Sequence, residues 1–132
     1  QLPRRIGVMW ADGDSMEPTI KNEELVIYQP VDKIQGAGVY VVYLTHGLSV
    51  RRVQPMADGG FRIISDNDSH AYDDEVLVPT EDGFMKESTG RSAEFYPAGK
   101  VLFPGRKTNQ IYVSQMDEIV KRAMNSGEVL ER

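Results

Sequence analysis

The chain has 132 residues, 40% of them hydrophobic and 27% charged, with a formal charge of −5 and no cysteine. That length and balance fit one packed domain and exclude a disordered chain, and the missing cysteines exclude a disulfide framework, a thiol nucleophile and Cys-based zinc or iron–sulfur sites. No apolar run approaches the roughly 20 residues that a membrane-spanning helix needs, so no membrane partner is expected and the cytoplasm is the expected compartment.

Short apolar or alternating segments separated by Gly, Pro, Asp and Asn predict a mainly β fold. In chain order the expected strands are Ile6 to Trp10, Leu25 to Gln29, Val39 to Leu44, Leu48 to Gln54, Phe61 to Ser65, Glu75 to Val78, Lys100 to Phe103 and Ile111 to Val113. Thr45, His46 and Gly47 fit a hairpin loop between two β-branched runs, and Asp58, Gly59 and Gly60 make a second turn. Residues 39–65 therefore read as a three-stranded meander. One strong helix signal comes last, where Ser114 offers an N-cap and Met116, Ile119, Val120, Ala123 and Met124 fall on one face before Gly127. That stripe serves either as core contact or, if exposed, as a dimer or partner surface.

Charge is unevenly spread. Residues 66–82 hold Asp66, Asp68, Asp73, Asp74, Glu75, Glu81 and Asp82 with no Lys or Arg, which leaves the rest of the chain near +2. Such a domain lacks the basic footprint that binds phosphate backbones, so it is not expected to hold nucleic acid by itself. The first residue is Gln1 and no signal-peptide pattern follows it, so the sequence reads as part of a longer protein.

The most informative segment is Gly13-Asp14-Ser15-Met16-Glu17-Pro18-Thr19-Ile20. Taken alone it reads as a turn, with Asp14 or Ser15 as a cap and Pro18 fixing φ. Downstream, Leu25-Val26-Ile27-Tyr28, Gly38-Val39-Tyr40-Val41-Val42 and Leu48-Ser49-Val50-Arg51-Arg52-Val53 follow in order, then Ser65-Asp66-Asn67 and Gly99-Lys100-Val101.

That succession, over about residues 8–106, resembles the LexA-type family of self-cleaving repressors, and in particular CI-like prophage repressors. The resemblance implies a LexA and signal-peptidase-like β domain over residues 1–106. Residues 107–132 are then a C-terminal strand and α-helix extension of the same domain, and a helix-turn-helix domain is expected upstream. In the family a serine in a Gly-x-Ser-Met motif is the nucleophile and a lysine in a Val-Lys-Arg-Leu-like strand is the general base. Signal peptidases carry similar motifs but are membrane anchored. The 36-residue interval from Ser15 to Arg51 and the Ser65-Asp66-Asn67 box favour the repressor branch.

Carried onto this sequence, the nucleophile position is Ser15 and the general-base position is occupied by Arg51. A serine hydroxyl needs a positioned base, and lysine serves only as a neutral amine, which burial lowers from about pKa 10.4 into reach of neutral pH. Arginine, far more basic than lysine, does not follow. Arg52 is expected on the opposite strand face, and Lys33 lies in a loop-like stretch. Arg51 is expected instead to brace Ser15 or a carboxylate such as Asp14. With only 14 residues before Ser15, this piece is not expected to hold the upstream loop that family members cut.

Other patterns carry less. Asp66-x-Asp68-x-His70 opens like a calcium loop, but Ala71 and Leu77 stand where Gly and Glu are required. His46 and His70 lack a third ligand at metal spacing, so neither a metal nor another cofactor is expected. A Ser15–His–Asp triad has no sequence support beyond its residue types. Trp10, Tyr28, Tyr40 and Tyr43 have no interleaved basic residues and read as core or interface.

The expectation is therefore the C-terminal oligomerisation and regulatory domain of a phage-type transcriptional repressor, unable to cleave itself. It would act as a homodimer or higher homo-oligomer, reach operator DNA through the upstream domain, and be relieved by another route such as an antirepressor protein. The expected interface is Lys100, Val101, Leu102 and Phe103 with Met116, Ile119, Val120 and Ala123. The alternative is an active Ser15-dependent autopeptidase cleaved during the SOS response.

Overall fold

A computed structural model describes residues 5–69, 72–104 and 121. The expected strand Ile111 to Val113, and the helix stripe Met116, Ile119, Val120, Ala123 and Met124, lie outside the described residues, as does His70.

Nine strands form one antiparallel sheet: β1 (Gly7–Trp10), β2 (Leu25–Pro30), β3 (Gly38–Leu44), β4 (Gly47–Pro55), β5 (Phe61–Ile64), β6 (Glu75–Thr80), β7 (Gly83–Lys86), β8 (Ser92–Ala93) and β9 (Phe95–Pro104). Their order across the sheet is β1-β2-β9-β3-β4-β5-β6-β7-β8. From β3 to β8 the chain is a simple meander; β9 then returns to fill the gap between β2 and β3, joining the two ends of the sequence into one sheet. The β3–β4 hairpin closes through Thr45-His46 with Leu44 paired to Gly47, where a φ of +117° suits glycine. The second turn closes as expected, with the Met56 amide donating to the Gly60 carbonyl at 2.9 Å and the Gly60 amide donating to Asp58 Oδ1 at 2.8 Å.

Strand β3 explains its own continuous apolar run. Alternation sends Val39 and Val41 to one face and Tyr40, Val42 and Leu44 to the other, and both faces are covered. On the first, Val41 joins Met9, Ala11, Met16, Ile20, Val26, Tyr28 and Val50. On the second, Tyr40 and Val42 join Val53, Ile63, Leu77 and Phe95, with Phe61, Phe84 and Phe95 in mutual ring contact at centroid separations of 4.9–5.7 Å. Each face of β3 thus packs against a core of its own.

Two expectations are corrected. Strand Lys100 to Phe103 is the second half of a strand that begins at Phe95, and β7 and β8 were not expected at all. Pro97 and Gly99 read as breakers, yet the sheet accommodates them through register shifts in β9, which skips Ala98 opposite β3 and Leu102 opposite β2. Gly99 is required there by contact, because a Cβ would lie 2.0 Å from the Tyr28 ring.

Candidate functional site

Ser15 sits in a loop of turns between β1 and β2 that is fixed by its own backbone. The Ala11 amide donates to the Glu24 carbonyl at 2.8 Å and the Glu23 amide to the Ala11 carbonyl at 2.9 Å, so the loop closes at its base. Within it the Glu17 amide donates to the Asp14 carbonyl at 3.1 Å and the Ile20 amide to the Met16 carbonyl at 2.9 Å. Gly13 has φ +95°, a conformation that its place just before Asp14 demands, and its amide donates to Asn22 Oδ1 at 2.8 Å. Met16 and Ile20 point into the core, which pins the intervening turns and leaves Ser15 only 7% exposed.

Two residues shortly after Ile64, Asp66 and Asn67, clamp this loop. The Asn67 amide donates to the Ser15 carbonyl and its Nδ2 to the Asp14 carbonyl, both at 2.9 Å. Asp66 accepts a fork from Arg52, Nε to Oδ1 at 2.8 Å and Nη2 to Oδ2 at 2.7 Å, and accepts the Thr19 hydroxyl at 2.6 Å. The Arg52 hydrogen bonds hold the Asp66 carboxyl below its ordinary value, and the same bonds raise Arg52. Ser65-Asp66-Asn67 is thus the mechanical link between the β4–β5 hairpin and the serine loop. Tyr72 adds a fourth tie by donating its hydroxyl to Asp14 Oδ1, which raises the phenol above its ordinary value.

Ser15 and Arg51 line the same small cleft, of about 50 Å³, together with Trp10, Gly13, Met16, Leu48 and Ser49. Arg51 also borders a larger groove of about 410 Å³ that contains His46, Ser65, Tyr72, Glu75, Lys86 and Glu94. It stands in register with Tyr40 on β3 and alternates with Arg52, which turns to Asp66. The expected bracing of Ser15 or Asp14 by the guanidinium is corrected: Nη1 donates to Ser49 Oγ and to the Val50 carbonyl at 2.8 Å, while Asp14 is engaged by Tyr72. A guanidinium one residue from a backbone carbonyl on its own strand finds that acceptor without crossing the cleft. Among the described residues none is hydrogen-bonded to the Ser15 hydroxyl.

Burial lowers the Arg51 guanidinium from its ordinary value, with the Tyr72 phenol opposing. A guanidinium is so much more basic than water at neutral pH that such lowering leaves it protonated. It can donate hydrogen bonds and hold an anion; it cannot accept the Ser15 proton.

The cleft has a further property. β5 pairs with β4 only from Arg52 onward, so among the described residues Gly47 to Arg51 has a strand partner on its β3 side alone. Gly7 to Trp10 likewise pairs with β2 alone. Two backbone edges therefore border the wall of a cleft whose floor carries a buried serine.

Lys100, Val101 and Leu102 are half-buried in β9, with Val101 packed on the first core and Lys100 Nζ 5.6 Å from the centre of the Tyr40 ring. Phe103 pairs through its backbone with Ile27. Both edges of β9 are used within the sheet, so association through these residues would engage the strand face. Thr19, Ser49, Asn67 and Tyr72 are site residues that sequence reasoning did not single out; Thr19, Ser49 and Asn67 stood inside the motif segments, whereas Tyr72 carried no signal. Among the described residues no cluster of His, Cys, Asp or Glu is able to hold a metal ion, and no helix is long and apolar enough to cross a membrane.

No curated protein matches the chain. A family model described as Peptidase S24-like matches residues 2–85, more than half of the sequence and inclusive of Ser15, Arg51 and Asn67. The chain belongs to the peptidase S24-like family, that of the LexA- and CI-type repressor-peptidases.

Proposed function

We propose that this domain is the C-terminal oligomerisation and regulatory domain of a cytoplasmic, phage-type transcriptional repressor that keeps the peptidase fold but has lost self-cleavage. One observation supports the reading: the cleft that holds Ser15 is also lined by Arg51, a guanidinium, and the sequence resemblance aligns Arg51 with the family's lysine base. Dimerisation would hold two upstream DNA-binding domains on a two-fold related operator, and avidity would give an acidic, non-binding domain its effect on DNA affinity. Lys100, Val101, Leu102 and Phe103, with the stripe Met116, Ile119, Val120 and Ala123, are the proposed self-association residues. Derepression then requires a route other than autocleavage, and an antirepressor protein is the proposed one.

The test is intact-mass analysis of the whole repressor at alkaline pH and with activated recombinase filaments, beside Arg51→Lys and Arg51→Lys/Ser15→Ala variants. Wild type is expected to stay whole and Arg51→Lys to cut in a Ser15-dependent way. Ser15-dependent cleavage of wild type overturns the proposal and supports the second reading, an active autopeptidase cleaved during the SOS response. That reading is favoured by the buried serine and by the edges of β1 and β4 beside it, which among the described residues have no further strand partner and suit an extended peptide.

A further inference from the structure

The larger groove beside the serine cleft, of about 410 Å³, falls within the range of roughly 300–1,000 Å³ typical of small-ligand sites. Its floor is apolar and belongs to the face of the sheet that carries the second core: Leu44 ends β3, Ile63 lies on β5, Leu77 on β6 and Ala93 on β8. The charged lining has both signs, with Arg51 and Lys86 facing Asp73, Glu75 and Glu94, and the imidazole of His46 beside them. These opposite charges share one cavity without pairing. Among the described residues none of the five is in an ion pair, and Glu75 accepts the Ser88 hydroxyl at 3.0 Å.

Strand order holds them apart. Arg51 is on β4 and half-buried Glu75 on β6, with β5 between, which sets their backbones about 10 Å apart across the sheet at an interstrand spacing of about 4.8 Å. Ile63 supplies apolar surface in the interval, paired with Glu75 on one side and Val53 on the other, and Leu77 extends it toward Lys86. Arg51 is itself half-buried, and of its five N–H donors those of Nη1 serve Ser49 and Val50. Its Nε–Nη2 edge has no acceptor among the described residues. Arg52, the next residue, gives that same edge to a carboxylate, Asp66, at 2.8 and 2.7 Å, so the group that fits the Arg51 edge is shown one residue away. A partly desolvated guanidinium edge without an acceptor costs free energy that a bound carboxylate recovers.

We propose that this groove binds a short apolar peptide with both termini free, its carboxylate on the Nε–Nη2 edge of Arg51, its apolar side chains over Ile63 and Leu77, and its ammonium group on Glu75. The lining selects this class. Three carboxylates count against a multiply charged anion such as a phosphate ester, and Arg51 with Lys86 counts against a plain cation, whereas one charge of each sign on an apolar body meets both. Length follows from the strands: an extended tripeptide spans about 10 Å, the order of the β4-to-β6 separation, while a single amino acid holds its two charges too close together. The inference goes beyond the regulatory reading, which bears on the consequence of binding and not on the site.

The test titrates the whole chain at pH 7 with alanyl-leucyl-alanine, its N-acetylated form and its carboxamide form by isothermal calorimetry. The free tripeptide is expected to bind at least tenfold tighter than either capped form. Arg51→Gln is expected to erase its advantage over the carboxamide, and Glu75→Gln its advantage over the acetylated form. Methyl NMR of wild type is expected to show the largest shifts at Leu44, Ile63, Leu77 and Ala93. That map and the ranking of the three probes need no variant, so they decide the matter even where a substitution fails to fold. No binding, equal binding of the three probes, or advantages that survive both substitutions overturn the proposal. Shifts confined to Met9, Met16, Ile20 and Leu48 also overturn it, in favour of peptide binding in the serine cleft. Self-cleavage is read separately by intact mass, so failure of this proposal and failure of the regulatory reading are distinct results.

Discussion

Replacing Arg52 by alanine removes both arms of the fork on Asp66 and leaves that carboxylate, whose side chain is 12% exposed, with the Thr19 hydroxyl. A charge-assisted hydrogen bond to a half-buried group contributes about 1.5–3 kcal/mol, but the Arg52 side chain is itself 41% exposed, so screening reduces its share. A net loss of about 2 kcal/mol follows, which at this chain length corresponds to roughly 7 °C in melting temperature. The pH dependence has a definite sign. The Asp66 carboxyl is lowered in the folded state, so its contribution is complete above the unfolded value near 4 and fades as pH falls through the lower folded value. Urea unfolding of wild type, Arg52→Ala, Asp66→Asn and the double variant, at pH 7 and again below pH 3, measures the coupling directly. The expected coupling is above about 1 kcal/mol at pH 7 and markedly smaller in acid. A single-variant cost under about 0.5 kcal/mol, as for an ordinary surface pair, or a coupling indifferent to pH, refutes the reasoning.

Three other perturbations read different parts of the molecule. Gly99→Ala places a methyl 2.0 Å from the buried Tyr28 ring and is expected to cost at least about 3 kcal/mol by thermal unfolding, with partial recovery on adding Tyr28→Val. Phe95→Ala opens the ring cluster with Phe61 and Phe84 and is expected to cost about 3–5 kcal/mol in urea. Tyr72 is expected to ionise above the ordinary tyrosine value of 10.0 in an ultraviolet or NMR titration, and Asp14→Asn to bring it down, because the Asp14 acceptor causes the shift.

The strands most legible in the sequence were those whose side chains alternate or run apolar for a local reason. Val39 to Leu44 is continuous because two cores meet on β3, and Thr45-His46-Gly47 is a hairpin because only Gly47 needs positive φ. Strands β7 and β8 were invisible for the opposite reason: Gly83 to Lys86 and Ser92-Ala93 are short and mixed, and what holds them is Phe84 against Phe61 and Phe95, a contact between distant parts of the chain. The first half of β9 was hidden by Pro97 and Gly99, whose tolerance depends on register shifts and on the flat Tyr28 ring beneath. At the site, Ser15 and Arg51 came from an ordered motif, and the fold brings both to the lining of one small cleft. The partners of Arg51 did not, because the choice between Ser15, Asp14 and its own strand is settled by side-chain geometry that no spacing encodes.

That choice separates the scaffold of the site from its chemistry. Ser15 is held by Asn67 at its carbonyl and by Met16 and Ile20 in the core, while the Arg52–Asp66–Thr19 network ties the hairpin to the loop from the other face of β4. None of these contacts uses the side chain of residue 51. A basic side chain of similar reach at that position meets the same neighbours, so exchanging lysine and arginine there changes proton affinity by about three units and leaves the clamp around the serine intact. The contacts that hold the serine loop are thus independent of the side chain at position 51. For the same reason Arg51→Lys is an informative variant: it offers a side chain able to accept a proton while Asn67, Asp66 and Arg52 continue to hold the serine loop.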